Sequence, residues 1–184
     1  MERFIRRVGL ALAAAAVVAG CMAGAAGSAG PSQGGDPADE IWRTAALVDV
    51  RTDEAFTIDG LRGKLVAIEP MAIWCTSCRV QQREAVKAIA AVQSDDLVYV
   101  GLDVDPAESA DDLATYSVEL GFDWPFAIAS TDVARSLAAA FGDQILSPPS
   151  TPLILVGPDG TILETHFGIR RAAELESLFR QHLP

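Results

Sequence analysis

Trp74-Cys75-Thr76-Ser77-Cys78, reached directly from the apolar run Leu65-Val66-Ala67-Ile68, decides the fold. A buried strand that runs into two thiols one helical turn apart predicts a strand–turn–helix unit and redox chemistry. The unpaired N–H groups of a first helical turn and the positive end of its dipole favour a thiolate at Cys75. Cys75 is therefore the expected nucleophile, ionised and accessible. Cys78, on the same helical face and covered, is placed to attack a mixed disulfide at Cys75 and close the Cys75–Cys78 bond. A structural zinc site and an inert disulfide fit these residues less well. Structural zinc takes four Cys or His ligands, and Cys21, His166 and His182 stand at no ligand spacing, so no metal is expected. An inert staple would close too small a loop to restrain the unfolded chain.

The chain has 184 residues, enough for one domain with a single core beyond its leader. Residues 1–20 begin with Arg3, Arg6 and Arg7 and continue into a short apolar stretch that ends at Val18-Ala19-Gly20-Cys21. This reads as an export signal, too short to span a bilayer. Small residues before Cys21 resemble the lipobox of bacterial lipoproteins, in which that cysteine becomes the lipidated first residue. The three cysteines are then accounted for as one anchor and one pair. Residues 21–40, nearly all Ala, Gly, Ser and Pro up to Pro37, form an expected flexible linker, and 41–184 the folded domain.

The formal charge is −11. Three arginines and one glutamate give residues 1–20 a charge of +2, leaving −13 on the remainder. Such a surface repels nucleic acid and anionic lipid, so membrane residence would depend on lipid at Cys21.

Strands are expected at 48–51, 56–58, 64–68, 97–104 and 124–129, with helices at 78–92, 106–120, 131–141 and 171–183. Pro158-Asp159-Gly160 joins Leu153–Val156 to Thr161–Phe167 as an antiparallel hairpin. Pro70 removes a donor from the strand before the thiols and predicts a bulge or an early strand end. Alternating strands and helices followed by a hairpin and helix describe an α/β sheet covered on both faces, with its site beyond the strands' carboxyl ends.

The order of motifs resembles the thioredoxin superfamily, in particular the membrane-anchored TlpA and ResA type of thiol-disulfide oxidoreductase. The segments that carry the likeness are Phe56-Thr57-Ile58-Asp59-Gly60-Leu61-Arg62-Gly63-Lys64-Leu65-Val66, Trp74–Cys78, Ser150-Thr151-Pro152 before Leu153–Val156, and Pro158-Asp159-Gly160. The resemblance implies a thioredoxin-like fold with a central mixed β-sheet flanked by helices, an N-terminal strand extension and a helical insertion. It further implies a cis peptide before Pro152, with Thr151 offering its backbone to a client chain and Trp74 forming part of the client surface. Glu69, six residues before Cys75, stands where thioredoxins carry a buried acid; burial would raise its pKa into a range useful for deprotonating Cys78. ResA-like proteins often place a glutamate where this chain has Gln81, and the neighbouring acid here is Glu84. His166 and His182 are expected at the surface.

The leading expectation is an extracytoplasmic, lipid-anchored monomeric enzyme that needs no cofactor and reduces client disulfides, recharged by a thiol-disulfide donor in the membrane. The resemblance implies clients of the kind the family serves, which include apocytochromes c and copper-centre proteins. The alternative is a Sco-like Cu(I) chaperone using Cys75 and Cys78 as soft ligands. Sco-type proteins space their cysteines by three residues and add a histidine before a late strand, which this chain lacks. A scaffold without chemistry is disfavoured by the intact pair, and a peroxiredoxin by the missing peroxidatic motif.

Overall fold

The structure, a computed structural model, describes residues 40–184. The expected signal, the Cys21 lipidation site and most of the linker lie outside the described residues.

Five strands form the main sheet in the order β5-β4-β3-β6-β7: β3 (Leu65–Met71), β4 (Leu97–Asp103), β5 (Phe126–Ile128), β6 (Pro152–Val156) and β7 (Ile162–Phe167). The first three run parallel, and β6 and β7 are antiparallel to their neighbours. Two-residue strands β1 (Leu47–Val48) and β2 (Ala55–Phe56) pair separately as the N-terminal extension. Every residue of central β3 is buried, and alternation sends its side chains to two layers. Leu65, Ala67 and Met71 meet α2 (Thr76–Val92), α3 (Ala110–Leu120) and α5 (Ala172–His182). Val66 and Ile68 meet α1 (Ile41–Thr44) and α4 (Thr131–Phe141). On α5, Leu175 and Phe179 are fully buried, each stabilising by about 1.5–3 kcal/mol.

Helix ends follow local chemistry. Ser109 and Ser130 accept the N–H of Asp112 and Val133, and Gly121 ends α3 in the left-handed region at φ 68°. The acidic segment therefore becomes helical at Ala110 and not at Pro106. The four-residue α1, too short for a periodic signature, is held by Trp42, whose ring meets Phe141 at 5.2 Å and whose backbone N–H donates to Ser136 Oγ at 3.1 Å.

Pro70 neither bulges nor ends its strand. Leu65 N–H donates to Asp96 and Met71 C=O accepts from Val104, so odd-numbered residues of β3 bond towards β4. Pro70 thus turns its missing donor towards β6, whose pairing with β3 stops at Ile68↔Ile154.

Two of the motif segments meet in space. Gly63 N–H donates to Pro158 C=O at 2.8 Å, and Arg62 donates to the Asp159 carbonyl, fastening the turn before β3 onto the β6–β7 hairpin. Gly101 in β4 lies under the Phe126 ring, where an added Cβ would come within 2.3 Å of ring carbon. Gly101→Ala is expected to destabilise the domain by about 1–3 kcal/mol or more, read as a lower urea midpoint with an unchanged m-value.

Candidate redox site

The β3–α2 turn carries the site. Cys75 N–H donates to Ala72 C=O at 3.0 Å, and Cys75 is itself the N-cap of α2, its Sγ accepting Cys78 N–H at 3.1 Å. The helix thus begins earlier than expected, at Thr76. Cys75 and Cys78 are joined as a disulfide. Both are buried in this state, at 1% and 0% exposure, which corrects the expectation of an openly accessible Cys75. Cys75 is approached from a surface cavity of about 480 Å³ that it lines with Trp74, Thr76, Ser77, Val80 and Pro149.

The two sulfurs have different surroundings. At Cys75 the N–H of Cys78 and the start of α2 favour negative charge. Cys78 Sγ instead lies 3.2 Å from the Pro148 carbonyl oxygen. A bridged sulfur has no hydrogen to donate, but the reduced thiol finds an acceptor there, which favours its neutral form. The asymmetry suits attack by Cys75 and resolution by Cys78.

Trp74 is 53% exposed, and its indole N–H donates to Asp105 Oδ2 at 2.6 Å, so it is anchored at the rim of the cavity instead of packed in the core. That bond holds the Asp105 carboxyl below its ordinary range. Thr151 is buried, and its φ of 50° places a β-branched residue in the left-handed region. Its N–H donates to Pro148 C=O at 2.8 Å and its C=O accepts Gly168 N–H at 3.2 Å. Thr151 therefore presents no free backbone pair in this state, contrary to expectation, because the Pro148–Ser150 turn and the loop after β7 consume both groups. Pro152 begins β6 opposite Phe167.

Glu69 is fully buried on the α2 side of the sheet and accepts a hydrogen bond from Tyr99 Oη at 2.8 Å. Burial pushes its pKa up to about 8, against the opposing effects of Tyr99 and Gln82. Gln82 stands one turn after Cys78 on the same helical face and accepts from the Tyr116 hydroxyl. Glu69 makes no direct hydrogen bond to either sulfur among the described residues.

Gln81 and Glu84 face away from this chemistry. Gln81 accepts Arg170 N–H at 2.7 Å, and Glu84 accepts Ala172 N–H at 2.8 Å, so both dock the start of α5 onto α2. His166 lies in β7 opposite Leu153, its pKa lowered first by burial and then by Arg170, and His182 ends α5. Among the described residues no cluster of three or more His, Cys, Asp or Glu is placed to hold a metal.

Tyr99, Gln82, Pro148, Asp103 and Glu108 were not singled out from the sequence. Only Asp103 and Asp105 had a usable signal: carboxylates just past the carboxyl end of a parallel strand, beside the thiols.

No protein-family model matches the sequence, and no curated protein does. Solved structures are similar throughout the domain. A thiol:disulfide interchange protein of Chlorobium tepidum TLS is 19% identical with a TM-score of 0.64, over 76% of this chain and 92% of that one. A secreted disulfide oxidoreductase of Mycobacterium tuberculosis is 14% identical with a TM-score of 0.60, over 78% and 98%. BsSco, of the Sco family of cytochrome c oxidase assembly proteins, is 15% identical with a TM-score of 0.59, over 74% and 90%. At these identities the likeness is one of fold: the chain has a thioredoxin-like fold.

Proposed function

We propose that this chain is a thiol-disulfide oxidoreductase that reduces disulfides in client proteins. The observation that carries the reading is the Cys75–Cys78 bridge at the start of α2, with Cys75 as N-cap at the floor of the Trp74–Pro149 cavity. In the reduced enzyme the Cys75 thiolate attacks a client disulfide, forming a Cys75–client bond and releasing one client thiolate, which takes up a proton. Cys78, deprotonated towards Glu69, then attacks Cys75 Sγ; the second client thiolate leaves and the Cys75–Cys78 bond closes. Two electrons pass to the client, and a dithiol donor restores the enzyme by the reverse exchange. Trp74 and the Thr151–Pro152 segment form the client surface, with Thr151 engaging once its turn is displaced.

The finer reading is an extracytoplasmic protein held to the membrane by lipid on Cys21, serving cytochrome c maturation or copper-centre assembly. Its supports are the basic-then-apolar N-terminus, the lipobox-like Val18–Cys21 and the need for a compartment in which two thiols can be client-directed. A Sco-like Cu(I) chaperone is the second reading, favoured by the similarity to BsSco and offered two thiolates at Cys75 and Cys78.

Equilibration of Cys75–Cys78 against glutathione and dithiothreitol tests the direction. A potential near about −270 mV is expected for a reductant, and one near about −120 mV would reverse the assignment to oxidant. Stoichiometric Cu(I) uptake by a protein inert towards disulfides would replace the enzyme reading with the chaperone.

A further inference from the structure

A second group of carboxyls holds the peptide that delivers Cys75. Asp103, the last residue of β4, is fully buried, and its Oδ1 accepts Asp105 N–H at 2.8 Å. Its Oδ2 is buried without a donor. Glu108, just before α3, stands within hydrogen-bonding reach of Asp103, and its Oε2 accepts Ile73 N–H at 2.8 Å. Two carboxyl groups within hydrogen-bonding reach of each other, one of them buried, can bond only if one carries a proton. Because Asp103 Oδ1 already accepts an N–H, the proton belongs on Oδ2, from which it is donated to Glu108 and satisfies the otherwise unpartnered oxygen.

We propose that Asp103 and Glu108 share one proton and act as a clamp on the Ile73 peptide, positioning the turn that presents Cys75; the role in catalysis rests on the thiol-disulfide reading above. Glu108 grips the Ile73 N–H while Arg79 Nη2 donates to the Ile73 carbonyl at 3.3 Å, so the peptide units on both sides of Ile73 are held, two residues before the nucleophile. Asp105 adds the anchor on Trp74. The charged and titratable groups facing the pair are Asp105 in the loop after β4, Arg79 on α2, and Asp112, Tyr116 and Glu119 of α3, which line a cavity with Glu108 and Ile73. Ala129 N–H holds the Asp103 main-chain carbonyl at 2.8 Å and brings no charge.

Burial, then the hydrogen bond with Glu108, pushes the Asp103 pKa up to about 8. Below that pH the shared proton keeps Glu108 oriented on Ile73. Above it, the negative charges of Asp103 and its carboxylate neighbours repel and the grip loosens. Asp103 and Glu108 are thus positioning residues whose effect reaches the sulfur through the Ile73 peptide.

The test is the hydrogen-exchange protection factor of the Ile73 amide, read by NMR on oxidised protein from pH 6 to 9. In the wild type it is expected to fall about tenfold or more through pH 8, the scale of a lost hydrogen bond to a charged group. Asp103→Asn, whose amide N–H replaces the shared proton, should keep protection constant over this range, and Glu108→Ala should abolish it throughout. The rate at which reduced protein reacts with oxidised glutathione should fall with protection at high pH and be rescued in Asp103→Asn. Wild-type Ile73 protection that is independent of pH, or equal in Glu108→Ala, overturns the clamp even where exchange with glutathione is intact. Absence of glutathione exchange in the wild type would instead overturn the enzymatic reading, leaving the clamp to be judged on Ile73 alone.

Discussion

Cys75→Ser is expected to lower the rate of client disulfide reduction by at least about a thousandfold, because it removes the atom at which the exchange begins. Cys78→Ser should behave differently. Its Cys75 still captures a client, but the sulfur that would displace that client is gone, so a covalent Cys75–client adduct accumulates. Non-reducing electrophoresis of both variants with a disulfide-bearing substrate separates the roles: adduct from Cys78→Ser, none from Cys75→Ser. Adduct formed through Cys78 in the Cys75→Ser protein would invert the assignment and with it the argument from the N-cap.

The second large effect concerns pH. Glu69 has its carboxyl raised from 4.5 to about 8 by burial, so the native state holds a proton that the unfolded chain has already released. A group whose folded pKa is raised contributes stability that is fully present below its unfolded pKa and is lost as pH rises through the folded value. Between about pH 4.5 and 8 the unfolded state therefore gains on the native one by as much as about 1.4 kcal/mol for each pH unit and each such group. Asp103, raised from 3.8 to about 8, acts in the same direction over nearly the same window. Urea midpoints of the oxidised protein are expected to fall steadily from pH 5 to 8, and Glu69→Gln should flatten roughly half of that slope. The same variant should slow resolution of the Cys78 step by about 10²–10⁴, the usual range for loss of a general acid or base. Unchanged midpoints across this range would show Glu69 and Asp103 to be ordinary carboxylates. An unchanged resolution rate in Glu69→Gln would remove Glu69 from the chemistry.

What could be read from the chain was whatever is local. The helix at 131–141 has the bounds expected, because its periodicity and the glycine that stops it are both written within a dozen residues, although its cap is Ser130. The β6–β7 hairpin follows from Pro158-Asp159-Gly160 for the same reason. The cysteine pair was legible because its chemistry depends on spacing and on a helix start. Pro70 was misread because its cost depends on which neighbour its nitrogen faces, and that is set by β6, brought from far along the sequence. Tyr99 and Gln82 come to Glu69 from β4 and α2, and neither carries a mark of that meeting. The family likeness draws attention to Gln81 and its neighbouring acid Glu84 as candidates beside the disulfide, yet helical rotation turns both to α5.

The central strand acquires its β6 neighbour from about 90 residues farther along, as the Val66↔Val156 register shows. The thiols, three positions apart, need no such wait. During synthesis the sulfurs can meet long before the wall containing Pro148 and Pro149 arrives beside them. A newborn chain is thus open to indiscriminate oxidation, and selectivity is acquired last, when the final fifth of the polypeptide joins the sheet.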